Sequence, residues 1–212
     1  MEKYVNKPLG KLLTLWALII ITQLGIILTS DGRFLYDYII IPLTVVSSIW
    51  IMFVISEYLK IFSISQIHLK KSDAKSILKW FSLVLLVKLL SGVILTLEGS
   101  VTTNNQELII DGFSKTPIVL IFLLVVVAAP IMEEITVRGF IMKKCFSEKH
   151  YVGVVVSSLL FGLLHRPTTI GSFLIYSSMG FIFGMCYKKT DRIELSIILH
   201  MLNNLLGFLV FL

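Results

Sequence analysis

Two adjacent glutamates interrupt an apolar stretch. Residues 117–142 read PIVLIFLLVVVAAPIMEEITVRGFIM, and Glu133 and Glu134 follow a run of near-continuous hydrocarbon side chains. Inside a bilayer-length helix a charged group costs about 2.5–3.5 kcal/mol even on insertion scales, so paired carboxylates there point to chemistry or to the movement of charge. Arg138 lies four residues after Glu134. On an α-helix the two share a face, with the acid N-terminal to the base, the favourable order. Glu133 points about 100° away. The guanidinium can thus neutralise Glu134 while Glu133 faces elsewhere, free to take a proton. Two more polar groups stand in apolar surroundings, Phe161-x-x-x-His165 and His200-x-x-x-Asn204, the latter with Asn203 beside it. His200 and Asn204 are one turn apart and can reach a common neighbour. A carboxylate free of its cation can accept and return a proton, the work of a general base.

Taken singly, most of these residues have an ordinary structural explanation. An intramembrane histidine or an asparagine pair commonly makes interhelical hydrogen bonds, and an i,i+4 Glu/Arg pair commonly braces a helix. Glu133 is the exception, because the only cation at helical spacing is already taken by Glu134. Depth provides a further test. Glu133 is 13 residues from Phe146 and His165 is 14 from Tyr151, which places both about 20 Å from one end of their helices. His200 and Asn204 come out shallower, about 8–14 Å beyond Leu195. A shared site within the membrane, opening toward the cytoplasm, is expected.

In order, residue type and helical setting, these motifs resemble those of the CPBP (Abi) intramembrane protease family. That family includes type II CAAX prenyl endopeptidases and bacteriocin-processing or self-immunity proteins. The resemblance covers about residues 117–206; the first three spans match only in general character. It implies that Glu133 activates the attacking water with His165 sharing the proton work. It further implies that His200 and Asn204 hold the oxyanion or position the substrate carbonyl, and that Glu134 and Arg138 orient the site, with Phe161 and Asn203 in support. Glu133, His165 and His200 also form a plausible zinc set with an open position. No HExxH helix is present, and a metal-free glutamate mechanism is the favoured expectation.

The elements that must position these groups are membrane helices. The chain has 212 residues, 56% of them hydrophobic and 15% charged, with a mean hydropathy of +0.91. Such a composition belongs to a polytopic membrane protein. The expected fold is all-α, a single membrane-embedded domain over 1–212 with the catalytic core at 117–206. Apolar runs predict seven spans, at 12–28, 38–59, 77–97, 117–146, 151–165, 168–187 and 195–212. The first resembles a signal peptide but has a long apolar run and no small-x-small cleavage site, and reads as a retained span. The fifth, ending at Arg166-Pro167, is short enough to stop within the bilayer before a re-entrant turn.

Basic residues alternate by loop. Lys3, Lys7 and Lys11 precede the first span. Lys60, Lys70, Lys71, Lys75 and Lys79 cluster after the second, Lys143, Lys144 and Lys149 after the fourth, and Lys188, Lys189 and Arg192 after the sixth. The intervening loops carry one each, Arg33, Lys115 and Arg166. This predicts an N-terminus inside and a C-terminus outside, in a bacterial plasma membrane. It also accounts for the net charge of +6 without nucleic acid. Lys88, inside the third span, reads as a snorkelling or interhelical side chain. Gly153/Ser157, Ser158/Gly162 and Gly180/Gly184 allow close helix packing. Cys145 and Cys186 lie near predicted cytoplasmic ends, so no structural disulfide is expected.

The function expected is hydrolysis of a peptide bond in a small peptide or a membrane-associated protein, with no nucleic-acid partner; no signal for oligomeric state is found. Bacteriocin leaders or signalling peptides are the substrates the family analogy favours. The alternative is a non-catalytic self-immunity protein that binds a bacteriocin or its receptor. A proton-coupled carrier is a third reading, since buried Glu and His also build relays, but no inverted repeat is evident.

Overall fold

Among the described residues every regular element is helical, as the apolar runs demand: away from water, a backbone that bonds within its own segment leaves no polar group unsatisfied. The computed structural model describes residues 7–27, 36–113, 116–147 and 150–209. Helix α1 is Pro8–Ile27, α2 is Ile41–Tyr58 after a wide turn at Tyr36–Ile40, and α3 is Lys71–Leu97. A short α4, Asn104–Gly112, follows. Then come α5, Ile118–Cys145, α6, His150–Leu164, α7, Ile170–Thr190, and α8, Ile193–Phe208.

The seven predicted spans coincide with α1, α2, α3, α5, α6, α7 and α8. Among the described residues, four helices are long and apolar enough to cross a membrane: Tyr38–Tyr58, Lys71–Leu97, Ile118–Cys145 and Ile170–Thr190. Helices α6 and α8 are apolar but shorter. Burial sorts the four: 56% and 61% of the apolar windows of α5 and α7 are buried, against 28% and 17% for α2 and α3. Helices α5 and α7 are therefore the centre. On the rim, α2 and α3 turn side chains such as Leu43, Trp50, Leu89 and Leu90 outward, a surface suited to lipid.

Two boundaries differ from expectation. Helix α3 starts six residues before the predicted 77, because the Asp73 carboxylate accepts the Lys70 N–H at 2.8 Å and caps the extra turn. Helix α4 falls partly in the predicted polar loop at 98–107. Thr103 Oγ1 accepts the Gln106 N–H at 3.2 Å and nucleates it, as a threonine N-cap does. Between α6 and α7 the chain turns at Arg166, whose φ is +50°, then at Pro167, and restarts at an N-cap on Thr169. The segment at 29–33 and the predicted final residues 210–212 lie outside the described residues.

The basic segments gather at one end. Lys11 Nζ donates to the Lys144 carbonyl at 2.8 Å and Lys143 Nζ to the Ile61 carbonyl at 2.8 Å. Arg192 grips Asp73 at 2.8 and 2.9 Å and the His68 carbonyl at 2.6 Å. The opposite end is tied by Glu98, which accepts the Ile170 and Gly171 N–H groups at 3.1 and 2.8 Å.

Small residues set the α6–α7 contact. A Cβ on Gly180 would lie 3.1 Å from Phe161 Cβ and 3.2 Å from Ser158 Cα, and one on Gly162 would overlap Ser177 Oγ. The backbones approach this closely only because those atoms are missing.

Candidate active site

The two glutamates lie in the middle of a helix that is not uniformly α. Within α5, Ile118–Ile121 and Ala129–Glu134 are α-helical, while Phe122–Ala128 and Ile135–Cys145 are wound as π-helix. Pro130 has no N–H to donate and crowds the carbonyl of the preceding turn, and wider turns absorb that disruption. The Val125 carbonyl of the first π segment is taken by Asn204 Nδ2 at 2.9 Å, which ties α8 to α5.

Helical spacing divided the pair as expected. Glu134 and Arg138 are both fully buried, with Glu134 Oε2 3.1 Å from Arg138 Nε. The approach is an ion pair without hydrogen-bond alignment, since Arg138 Nε and Nη1 have no hydrogen-bond partner among the described residues. Nη2 donates to the Gly180 carbonyl at 2.8 Å, and the guanidinium carbon lies 4.8 Å from the Phe161 ring centre and 5.6 Å from that of Phe183. Charge and ring faces together hold it. Phe161 is thus part of the site's scaffold, packed on Arg138, His165 and His200 alike.

Glu134 does more than offset Arg138. Ser196 Oγ donates to its Oε2 at 2.6 Å, and its Oε1 lies 3.1 Å from His200 Nδ1. A carboxylate only accepts, so His200 Nδ1 carries the proton. His165 Nδ1 lies 2.7 Å from the Phe161 carbonyl, which likewise only accepts. With both Nδ1 atoms donating, both Nε2 atoms are turned toward the site. There they meet Glu133: Oε2 is 4.0 Å from His165 Nε2 and 4.0 Å from His200 Nε2. That oxygen is buried with no hydrogen-bond partner among the described residues. Glu133 lines a cavity of about 610 Å³ bounded by α3, α4, α5, α6, α7 and α8.

The expected residues are therefore brought together from three helices, with Asn203 and Asn204 on the wall of the same cavity. The depth arithmetic set His200 too shallow. Helix α8 begins at Ile193 rather than 195, and packing across α5 brings the imidazole level with Glu133. Asn204 is more committed than expected: besides its bond to Val125, its Oδ1 accepts Asn203 Nδ2 at 3.0 Å.

Two residues were missed. Ser196 lies one turn before His200 on the same face, a periodicity visible in the sequence. Tyr176 stacks on His165 with centroids 4.2 Å apart and planes at 16°, and its hydroxyl meets Thr103 Oγ1 at 2.7 Å. No local spacing relates 176 to 165 or 103, so nothing in the sequence marked it.

Glu133, His165 and His200 are the residues that would hold a metal. Tetrahedral zinc with N and O ligands at about 2.0–2.1 Å sets its donors about 3.4 Å apart. The observed 4.0 Å is wider.

Residues 115–206 match the family model described as Rce1-like, type II CAAX prenyl endopeptidase. The chain is 28% identical over 197 residues to the UPF0177 protein YvdC of Lactococcus lactis, covering 91% of this chain and 75% of that one. It is 31% identical over 153 residues to the membrane-embedded CAAX protease MroQ of Staphylococcus aureus, covering 66% of this chain and 60% of MroQ. The UPF0177 protein YbdI of Lactococcus lactis is 35% identical over 105 residues, half of this chain and 54% of YbdI. No solved structure matches.

Proposed function

We propose that this multi-pass bacterial membrane protein, whose residues 115–206 match the Rce1-like model of type II CAAX prenyl endopeptidases, cleaves a peptide or membrane-protein segment with Glu133 as the base. The observation that carries the reading is the Glu133 Oε2 atom. It is buried, has no hydrogen-bond partner among the described residues, lies 4.0 Å from two imidazole Nε2 atoms, and belongs to a residue that lines the cavity.

Water is a weak nucleophile and needs a base. Glu133 takes a proton from a water as its oxygen attacks the scissile carbonyl carbon. His165 Nε2 lies beside the same carboxylate oxygen and shares that proton. The carbonyl oxygen becomes an oxyanion. His200, held at Nδ1–H by Glu134, turns its Nε2 edge toward the carbonyl end and positions it. Collapse of the intermediate re-forms the C=O bond and breaks the C–N bond, and the amine leaves with the proton held by Glu133 and His165. Asn204 supports the carbonyl end with the N–H that Val125 does not use. No step requires a metal.

The test is mass spectrometry of apolar synthetic peptides incubated with purified, lipid-reconstituted protein. Wild type should release fragments, and Glu133→Ala should lose at least about 10²-fold in rate, the lower range of general-base contributions, while retaining its thermal unfolding profile. Undiminished cleavage by a folded Glu133→Ala variant would remove Glu133 from the mechanism.

A further inference from the structure

One charged residue of the cavity wall has no part in the chemistry above. Lys88 sits on α3, 17 residues after the helix start at Lys71, about 26 Å along its axis. A lysine near a span end reaches the headgroups with its long stem; Lys88 turns inward instead. Its Nζ donates to Asn203 Oδ1 on α8 at 3.1 Å, and it lines the same cavity as Glu133, His165 and His200.

Three features make this more than an interhelical brace. First, the partner is a neutral amide oxygen, and among the described residues no carboxylate lies within ion-pair distance of Lys88. Intramembrane cations ordinarily pair with an acid or with backbone carbonyls, so this ammonium has donors left over. Second, there is room beside it. Gly92, one turn on and also on the cavity wall, has no atom within 4 Å of where a Cβ would stand, and neither does Gly207 across the cavity on α8. Third, its anchor is close to the reacting groups. Asn203 is three residues after His200 on α8, about 4.5 Å along the axis, little more than the reach of one extended peptide residue.

We propose that Lys88 makes this part of the cavity a carboxylate-binding subsite, which selects peptides bearing a negative charge within a few residues of the scissile bond. The inference rests on the peptidase reading. Its ligand chemistry is a peptide carboxylate, either the free C-terminus or an acidic side chain. Lys88 is then a specificity-determining residue: it meets the ground state and the transition state of the same substrate and has no role in moving the proton. Asn203 holds the ammonium aimed into the cavity. Among the described residues Lys88 is the one lysine or arginine of the cavity lining, so its end of the cavity repels a second cation and gains from a carboxylate, whose approach offsets the cost of the buried charge.

The experiment uses the full-length protein in lipid nanodiscs and one apolar decapeptide in four forms: C-terminal acid or amide, each with glutamate or glutamine near its C-terminus. For wild type, kcat/KM for the preferred carboxylate form should exceed that of the fully neutral form by about tenfold or more, which is about 1.4 kcal/mol per decade. The acid/amide and Glu/Gln comparisons show which carboxylate is read. Lys88→Met should bring the ratio to near one, and Lys88→Arg should keep most of it. Binding of the four peptides to Glu133→Gln, with Lys88 intact, measures the same preference without turnover and still decides if Lys88→Met does not fold. Equal binding and cleavage of charged and neutral forms by protein with Lys88, or a preference that survives in folded Lys88→Met, would overturn the subsite. Full cleavage by Glu133→Gln would overturn the peptidase mechanism while leaving the subsite standing on the binding data.

Discussion

Arg138→Met tests whether the buried ion pair is the keystone of the site. Arg138 and Glu134 have no solvent exposure, and their charges approach to 3.1 Å. At an effective dielectric of about 20 the attraction at that distance is about 5 kcal/mol, set against the cost of burying both charges. The ring faces of Phe161 and Phe183 add about 1–2 kcal/mol for a desolvated guanidinium. Removing one partner leaves an uncompensated charge and costs about 3–5 kcal/mol. For a chain of this size each kcal/mol lowers Tm by about 2–4 °C, so Arg138→Met should melt about 6–20 °C below wild type in nanodiscs, followed by tryptophan fluorescence. Glu134→Gln alone strands the arginine and should lose a similar amount. The double variant strands neither charge, and its loss should be smaller than the sum of the singles by about 3 kcal/mol or more. It should nonetheless remain poorly active, because glutamine does not hold His200 Nδ1–H as the carboxylate does at 3.1 Å. A Tm fall under about 2 °C in Arg138→Met, or a double variant whose losses simply add, would refute the assignment.

The remaining expectations follow from neighbouring contacts. Tyr176→Phe keeps the ring on His165 and should stay within about threefold of wild-type kcat/KM, whereas Tyr176→Ala removes a stack worth about 0.5–1.5 kcal/mol and should lose about 2–13-fold. Gly180→Ala presses a methyl group against Phe161 and the Ser158 backbone and should cost about 1–3 kcal/mol by thermal melting. Gly92→Ala, with open space at the same point, should gain up to about 1 kcal/mol from helix propensity; equal effects at the two glycines would contradict the α6–α7 packing. Prolonged dialysis against a chelator should leave peptide cleavage intact. Loss of activity that is restored by zinc would transfer Glu133, His165 and His200 to a metal site.

What the sequence alone determined is what short-range geometry and solvent preference control. Long apolar runs have one way to satisfy their backbone in a bilayer, so the helices and their approximate ends were legible. The four-residue step from Glu134 to Arg138 is a property of any helix, and it survives even where α5 passes from α to π winding. The small residues of α6 and α7 foretold a close contact, and the alternating lysines foretold which segments gather at one end. Helix α4 was hidden because its residues are polar and it begins at a single threonine cap. The tertiary structure decided the rest, because a contact between helices depends on their rotation, crossing and relative height. No spacing rule joins Lys88 to Asn203, Tyr176 to His165, or Asn204 to the Val125 carbonyl. The same holds for the joint approach of His165 and His200 to Glu133, which turns two separate histidines and a glutamate into one candidate site.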